Sequence, residues 1–453
     1  MRVSLCVVST KGNLLLSSNL LRSAAAISLL FVTSCGQRQT SQETIPDIDL
    51  VSTADDVANT ELASAYSQDA SWQLARGDVM ARLQRAERPQ AARNVILFVA
   101  DGLSIPTIAA ARIYDGQDRG ESGVENVLSF ETFPNVALVK TYNTDRQVSD
   151  SASTATAMVT GIKTRTGAIS VAATQGFESC EQDTVMPWTL AEIAEDRGMA
   201  SGVISTARLT HATPATMYSH SLSRGWETDG ELPEIAVAAG CVDIAAQLLS
   251  FRSGDGVDVI LGGGRRSFRP TEMGGVRTDG RDLVAEWRES GRGGVSVESA
   301  AEFRALPIDG TEPVFGLFSD SHMSYEADRD ASEEPSLAEM TGFAIDRLSQ
   351  NENGYVLMVE AGRVDHAHHG TNAYRALTDT QAFSEAIATA IEHVDLDETL
   401  IVVTADHGHT MTFSGYPARG NPILGLVRTN DASNPGSTEL SLTMADDGGP
   451  YTA

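Results

Sequence analysis

Four stretches of this chain are almost wholly apolar, and three of them stop on a charged or metal-binding residue. They are NVILFVADG at 94–102, VDVILG at 257–262, YVLMVE at 355–360 and LIVVTADH at 400–407. A strand with one wet face alternates apolar and polar residues, so unbroken runs predict strands buried on both faces, as in parallel sheets covered by helices. Between them the helical period appears at 188–197, 242–250, 337–349 and 378–393. Strands alternating with helices predict an α/β fold, a three-layer sandwich with a central, mainly parallel β-sheet flanked by helices. With 453 residues and 42% hydrophobic content the chain can bury a large core.

In such sheets ligands gather beyond the carboxyl ends of the strands. Three of the four runs end in metal-type ligands, at Asp101, Glu360 and the pair Asp406-His407. One such Asp caps a helix or starts a turn in most proteins, whereas three at one edge point to a site. After Glu360 comes RVDHAHHG at 363–370, where Asp365 and His369 stand one helical turn apart and can grip one cation. Most of the nine histidines fall between His366 and His409. His368 and His409 taken singly read as supporting or structural groups. Carboxylates mixed with imidazoles and no thiolate suit Zn²⁺, with a harder, oxygen-rich site for Mg²⁺.

A nucleophile is offered by VSDSASTATA at 148–157, where Ser151 opens a helix whose free N–H groups favour an anion. A hydroxyl attacks at neutral pH only when a base or a metal takes its proton, and the metal-type cluster supplies that activator. The segment THATPATMYSH at 210–220, followed by Arg224, reads on its own as a turn and a helix with a surface Arg.

Net charge is −28, from 33 basic and 61 acidic residues, which argues against nucleic acid as a partner. The first 34 residues carry a basic residue, a short apolar run at 24–32 and small residues before Cys35. That reads as a secretory signal, too short to span a bilayer; a Cys directly after it resembles a lipoprotein signal with Cys35 as the lipidated residue, the alternative being ordinary signal cleavage nearby. Residues 35–90 read as a tether and a peripheral helix, and 91–453 as the catalytic domain. The protein is therefore expected to be exported, as a periplasmic or cell-surface lipoprotein. Cys180 and Cys241 then remain in an oxidising compartment, where pairing is favoured over metal binding.

The motifs FVADG, VSDSASTATA, THATPATMYSH with Arg224, CVDIAAQLL followed by VILGGGR, VEAGRVDHAHHG and TADHGHTMTFSGYPARG together resemble the alkaline phosphatases. The resemblance covers roughly 94–453, in the family's order and spacing. It implies hydrolysis of phosphate monoesters through a phosphoserine, with two zinc ions and one magnesium ion, a broad range of leaving groups and an alkaline optimum. Position by position it implies Ser151 as nucleophile and Asp101, Asp406 and His407 around the zinc beside it. Asp365 and His369 fall to the second zinc, and Asp101, Thr213 and Glu360 to magnesium, with His211 tuning its waters. Arg224 is implied as a clamp on the phosphate and His366 as a neighbour of it. Cys180 and Cys241 match the family's paired cysteines, and a homodimer is implied. His211 and His366 match the variant of animal and many environmental bacterial members.

One departure stands out. The family supplies the second zinc with a further His from a later segment, and no His follows His409 here. On this reading the C-terminal part is truncated at Ala453, and that zinc lacks its third ligand. The departure also leaves room for a metal- and phosphate-binding lipoprotein without catalysis. A related phosphodiesterase or sulfatase is the other alternative, although the C/S-x-P-x-R signature of sulfatases is absent around Ser151.

Overall fold

The structure, a computed structural model, describes residues 3–7, 77, 91–430 and 440–442, apart from residues 175, 177–179, 181–185, 252, 291, 293, 413 and 414. The chain divides into one unit of Met1–Ser9 with Gln90–Ala453 and another of Thr10–Pro89. Of the expected signal (1–34) and tether (35–90), including Cys35, only residues 3–7 and 77 are among those described. Among the described residues no helix is long and apolar enough to cross a membrane.

Nine strands form one sheet: β1 (Val3–Val7), β2 (Asn94–Ala100), β3 (Ala137–Lys140), β4 (Ala200–Arg208), β5 (Val259–Gly263), β6 (Val295–Val297), β7 (Val314–Leu317), β8 (Tyr355–Ala361) and β9 (Thr399–Ala405). Their order is β3-β1-β9-β2-β8-β4-β5-β7-β6. The pairings from β9 to β6 are all parallel, and β1 runs antiparallel to both β9 and β3.

The two faces of this sheet carry separate cores, which explains the unbroken apolar runs. In β2, Ile96, Phe98 and Ala100 join one core while Leu97 and Val99 join the other. In β8 the division is Tyr355, Leu357, Val359 and Ala361 against Val356 and Met358. The helices Ile105–Asp118, Leu337–Leu348 and Ala373–His393 cover the first face through residues such as Ile108, Phe343 and Phe383. The helices Leu190–Asp196, Ile244–Leu249 and Leu283–Glu289 cover the second through Ala194, Leu248 and Trp287. This is the three-layer arrangement expected from the sequence.

Three of the four helical periods lie within two residues of the observed elements. The fourth differs, because the helix begins at Ala373 and not 378. Asn372 caps it by accepting from the Arg375 N–H, so the first turn forms although its exposed Tyr374 breaks the apolar period. Strands β4, β6 and β7 add to the four runs. Cys180 and Cys241 form a disulfide, their Cα atoms 4.8 Å apart.

Candidate active site

The carboxyl ends of β2, β8 and β9, neighbours in the sheet, deliver Asp101, Glu360 and Asp406-His407 to one place. Beyond β2 the chain turns sharply at Gly102, whose φ of +70° is left-handed, and its N–H donates to Asp406 Oδ1 at 3.0 Å. The His407 N–H donates to the same oxygen at 2.7 Å. Oδ2 of Asp406 is left without a hydrogen-bond partner, 3.5 Å from His407 Nε2.

Ser151 is the first residue of the helix Ser151–Thr160. Asp150 caps that helix by accepting from the Ser153 N–H, and Gly161 closes it in a left-handed conformation. The Ser151 hydroxyl lies 3.2 and 3.3 Å from the two oxygens of Asp101 and 3.3 Å from His407 Nε2. Asp150 also accepts from Arg224 Nη1 at 3.2 Å. Burial works against the charge on Asp150, but bonds from Ser153, Gly167 and Arg224 outweigh it and hold the carboxyl below its usual range. The helix cap thus ties Arg224 to the segment carrying Ser151.

Three groups of side chains bring ligand atoms within 4.8 Å of one another: Asp101, Asp365 and His407; Asp365, His369 and His409; and Asp101, His211 and Glu360. In the second group His369 Nε2 lies 3.3 Å from Asp365 Oδ2, and His409 Nε2 lies 3.6 Å from Asp365 Oδ1. His409 therefore stands beside the second expected metal position. His368 stacks on His409, ring centroids 5.3 Å apart, and meets Thr107 Oγ1 at 3.0 Å, which supports the His409 ring.

Electrostatics in this cluster are unfavourable without a cation. Burial, reinforced by Asp406, Asp365 and Glu360, pushes Asp101 well above the carboxylate range. Burial likewise pushes Glu360 up to about 7. His211 Nδ1, Thr213 Oγ1, Glu360 Oε1, Asp365 Oδ1 and Asp406 Oδ2 are all buried with no hydrogen-bond partner. Buried polar atoms are almost always paired, so five orphans in one site mark positions for divalent cations. Oxygen and imidazole donors without thiolate fit zinc and magnesium.

Contacts and shared ligand groups link Ser151, Asp101, Asp406, His407, Asp365, His369, Glu360, His211, His366 and Arg224, and residues not expected from the sequence join them. Ser205, on β4, donates its hydroxyl to Glu360 Oε2. Three imidazoles, His211, His322 and His366, cluster with ring centroids 4.2 to 5.4 Å apart. Burial, with His366 and Arg208 adding to it, pushes His322 down to about 2, and burial with Arg363 pushes His366 down to about 3. His322 stands alone in its stretch of sequence, so no spacing signals it.

A family model described as Alkaline phosphatase matches residues 92–448. A membrane-bound alkaline phosphatase of Bombyx mori is 41% identical over 402 residues, covering 84% of this chain and 73% of that protein. Among solved structures, the alkaline phosphatase of Thermus thermophilus superposes with a TM-score of 0.58 at 32% identity, covering 71% of this chain and 60% of that one. A mutant alkaline phosphatase from TAB5 with bound Mg gives a TM-score of 0.56 at 25% identity, over 80% of this chain and 89% of that one.

Proposed function

This chain belongs to the alkaline phosphatase family, and from that premise and the site's geometry we propose that it hydrolyses phosphate monoesters through a phosphoserine at Ser151. The observation that carries the reading is the Ser151 hydroxyl, set within 3.3 Å of both Asp101 and His407 at the start of a helix. Asp101, Asp406 and His407 would hold one zinc, Asp365 and His369 a second, and Asp101, Thr213 and Glu360 a magnesium. Bound there, these ions supply charge neutralisation and lower the pKa of the hydroxyl and of the attacking water.

Ser151 Oγ forms a bond to phosphorus as the bond from phosphorus to the alcohol oxygen breaks, and the alcohol leaves. Water then attacks the same phosphorus, which returns Ser151 and releases phosphate. Arg224, anchored by Asp150, clamps two non-bridging oxygens through its fork and selects a terminal phosphate over a diester. His366 donates to the phosphoryl oxygens. Nothing in this arrangement reads the alcohol, so a broad range of monoesters is turned over, best at alkaline pH.

Loss of p-nitrophenyl phosphate turnover in Ser151→Ala, with zinc content retained, supports this reading. Faster hydrolysis of a diester or sulfate ester than of the monoester, or phosphate binding without turnover, overturns it. An exported protein, attached to a membrane through a lipid on Cys35 and assembled as a homodimer, completes the proposal; cleavage before Cys35 would remove β1 from the sheet and leave its parallel part, β9 to β6, in place. Fatty-acid labelling of Cys35→Ser against the parent, and sedimentation, check those parts.

A further inference from the structure

Each of the three clustered imidazoles faces its own guanidinium. Arg224 Nη2 lies 3.0 Å from His211 Nε2, Arg208 Nη1 contacts His322 Nε2, and Arg363 Nη1 lies 3.1 Å from His366 Nδ1. Two of these arginines have other work. Arg224 is anchored to Asp150, and Arg208 makes a two-pronged pair with Glu227 at 2.8 and 2.6 Å. Arg363 is different, because among the described residues no carboxylate lies within ion-pair distance of it and its Nε has no partner. Asp379 and Glu334 act on it only from beyond contact distance, and a half-buried cation without a directly paired counter-ion is costly unless the charge is used.

Its surroundings fix where that charge points. The guanidinium lies over the Tyr325 ring, 3.7 Å from the centroid. Arg375 lies over the same ring at 4.5 Å and is itself held by Asp328 at 2.7 Å. Cation–π stacking of this kind holds a planar group in place without discharging it. The backbone N–H groups of Gly362 and Arg363 donate to Thr206 Oγ1 at 3.0 and 3.3 Å, fixing the start of the helix Arg363–His369.

We propose that Arg363 is a positioning residue that fixes His366 as the tautomer with its proton on Nε2, so that this ring presents a standing N–H donor to the substrate phosphoryl group. A guanidinium has donors only and keeps its proton, so the nitrogen facing it must offer a lone pair. Nδ1 of His366 is then the acceptor, and the ring's single proton sits on Nε2. His322 packs against His366, tilted with ring centroids 4.2 Å apart, and restricts rotation of the ring. The inference deepens the proposed function, since it rests on His366 meeting the phosphate.

The test uses the metal-replete protein labelled with ¹⁵N-histidine. The His366 resonances, identified by their loss in His366→Gln, are read at one fixed alkaline pH in a long-range ¹H–¹⁵N correlation. The expected parent pattern is the Nε2–H tautomer. In Arg363→Met it shifts toward Nδ1–H, and kcat/KM for p-nitrophenyl phosphate falls on the order of tenfold, the loss of about one oriented hydrogen bond. Arg363→Lys, which keeps a charged donor, restores the tautomer and most of the rate. A parent ring protonated on Nδ1, or a tautomer unmoved in Arg363→Met, overturns the proposal. Should the parent lack monoesterase activity, the functional reading fails while the tautomer result still stands on its own.

Discussion

Gly102 lies so close to Asp365 that a carbon added in the Cβ position would stand 2.8 Å from Asp365 Oδ1. The turn after β2 therefore has to be left-handed and bare at once, because its backbone N–H must reach Asp406 while its α-carbon passes Asp365. Gly102→Ala incurs about 1 kcal/mol of backbone strain in that region and pushes a metal-type carboxylate out of place. We expect one metal fewer per chain by elemental analysis and a melting point lower by several degrees. Unchanged metal content would show that Asp365 can move without cost.

What the sequence made readable follows from how burial writes itself into residues. β2, β8 and β9 carry apolar side chains into both cores, and the same burial that makes them central makes their runs continuous. β4 lies beside β8, yet its Ser201, Gly202 and Ser205 erase the pattern. Those small residues are there because Glu195 and Glu360 need hydroxyl donors and because a Cβ at Gly202 would meet Leu348 and Leu357 within 3.0 Å. Asp101, Glu360, Asp406 and His407 were legible because strand ends bring them together by topology, and Asp365 and His369 because one helical turn separates them. Asp150, Arg363 and His322 were not, since each acts through a partner such as Arg224 or Tyr325 supplied from a distant segment.

Removing metal should make stability strongly pH-dependent. Burial raises Asp101, Asp365 and Glu360, the last to about 7. For an acid raised in the folded state, stability is fully present below the unfolded pKa near 4 and is lost as pH climbs through the folded value. The chelated protein should therefore melt progressively lower from about pH 5 to about pH 8, while bound cations offset the same charges in the metal-replete protein. Differential scanning fluorimetry with and without chelator checks this. Parallel curves would mean that these carboxylates do not carry the site's electrostatic cost.

The disulfide closes a long loop, with Cys180 and Cys241 61 positions apart. In the chain-entropy account a loop of that length stabilises by about 4 kcal/mol, with 2–4 typical of measured cases. It packs beside Trp226, two residues from Arg224. Replacing both cysteines by Ala should lower the melting point by roughly 5 °C or more while leaving KM near its parent value. A large rise in KM would mean that the bridge also sets the position of Arg224.

Asp379 offers a test away from the metal-type residues. It is buried in the helix Ala373–His393 and accepts from the Glu326 N–H at 3.3 Å, and burial pushes it up to about 8. It is thus protonated in the folded protein at neutral pH, and its contribution to stability disappears as pH rises from about 4 through about 8. Each unit of such a shift corresponds to ~1.4 kcal/mol at most. Asp379→Asn keeps an oxygen acceptor for the Glu326 N–H and cannot ionise. The variant should match the parent near pH 5 and melt a few degrees higher near pH 9. A variant less stable than the parent at both pH values would show that Asp379 is charged when folded and held by Arg363, whose field is the one nearby influence that lowers it besides the Glu326 bond.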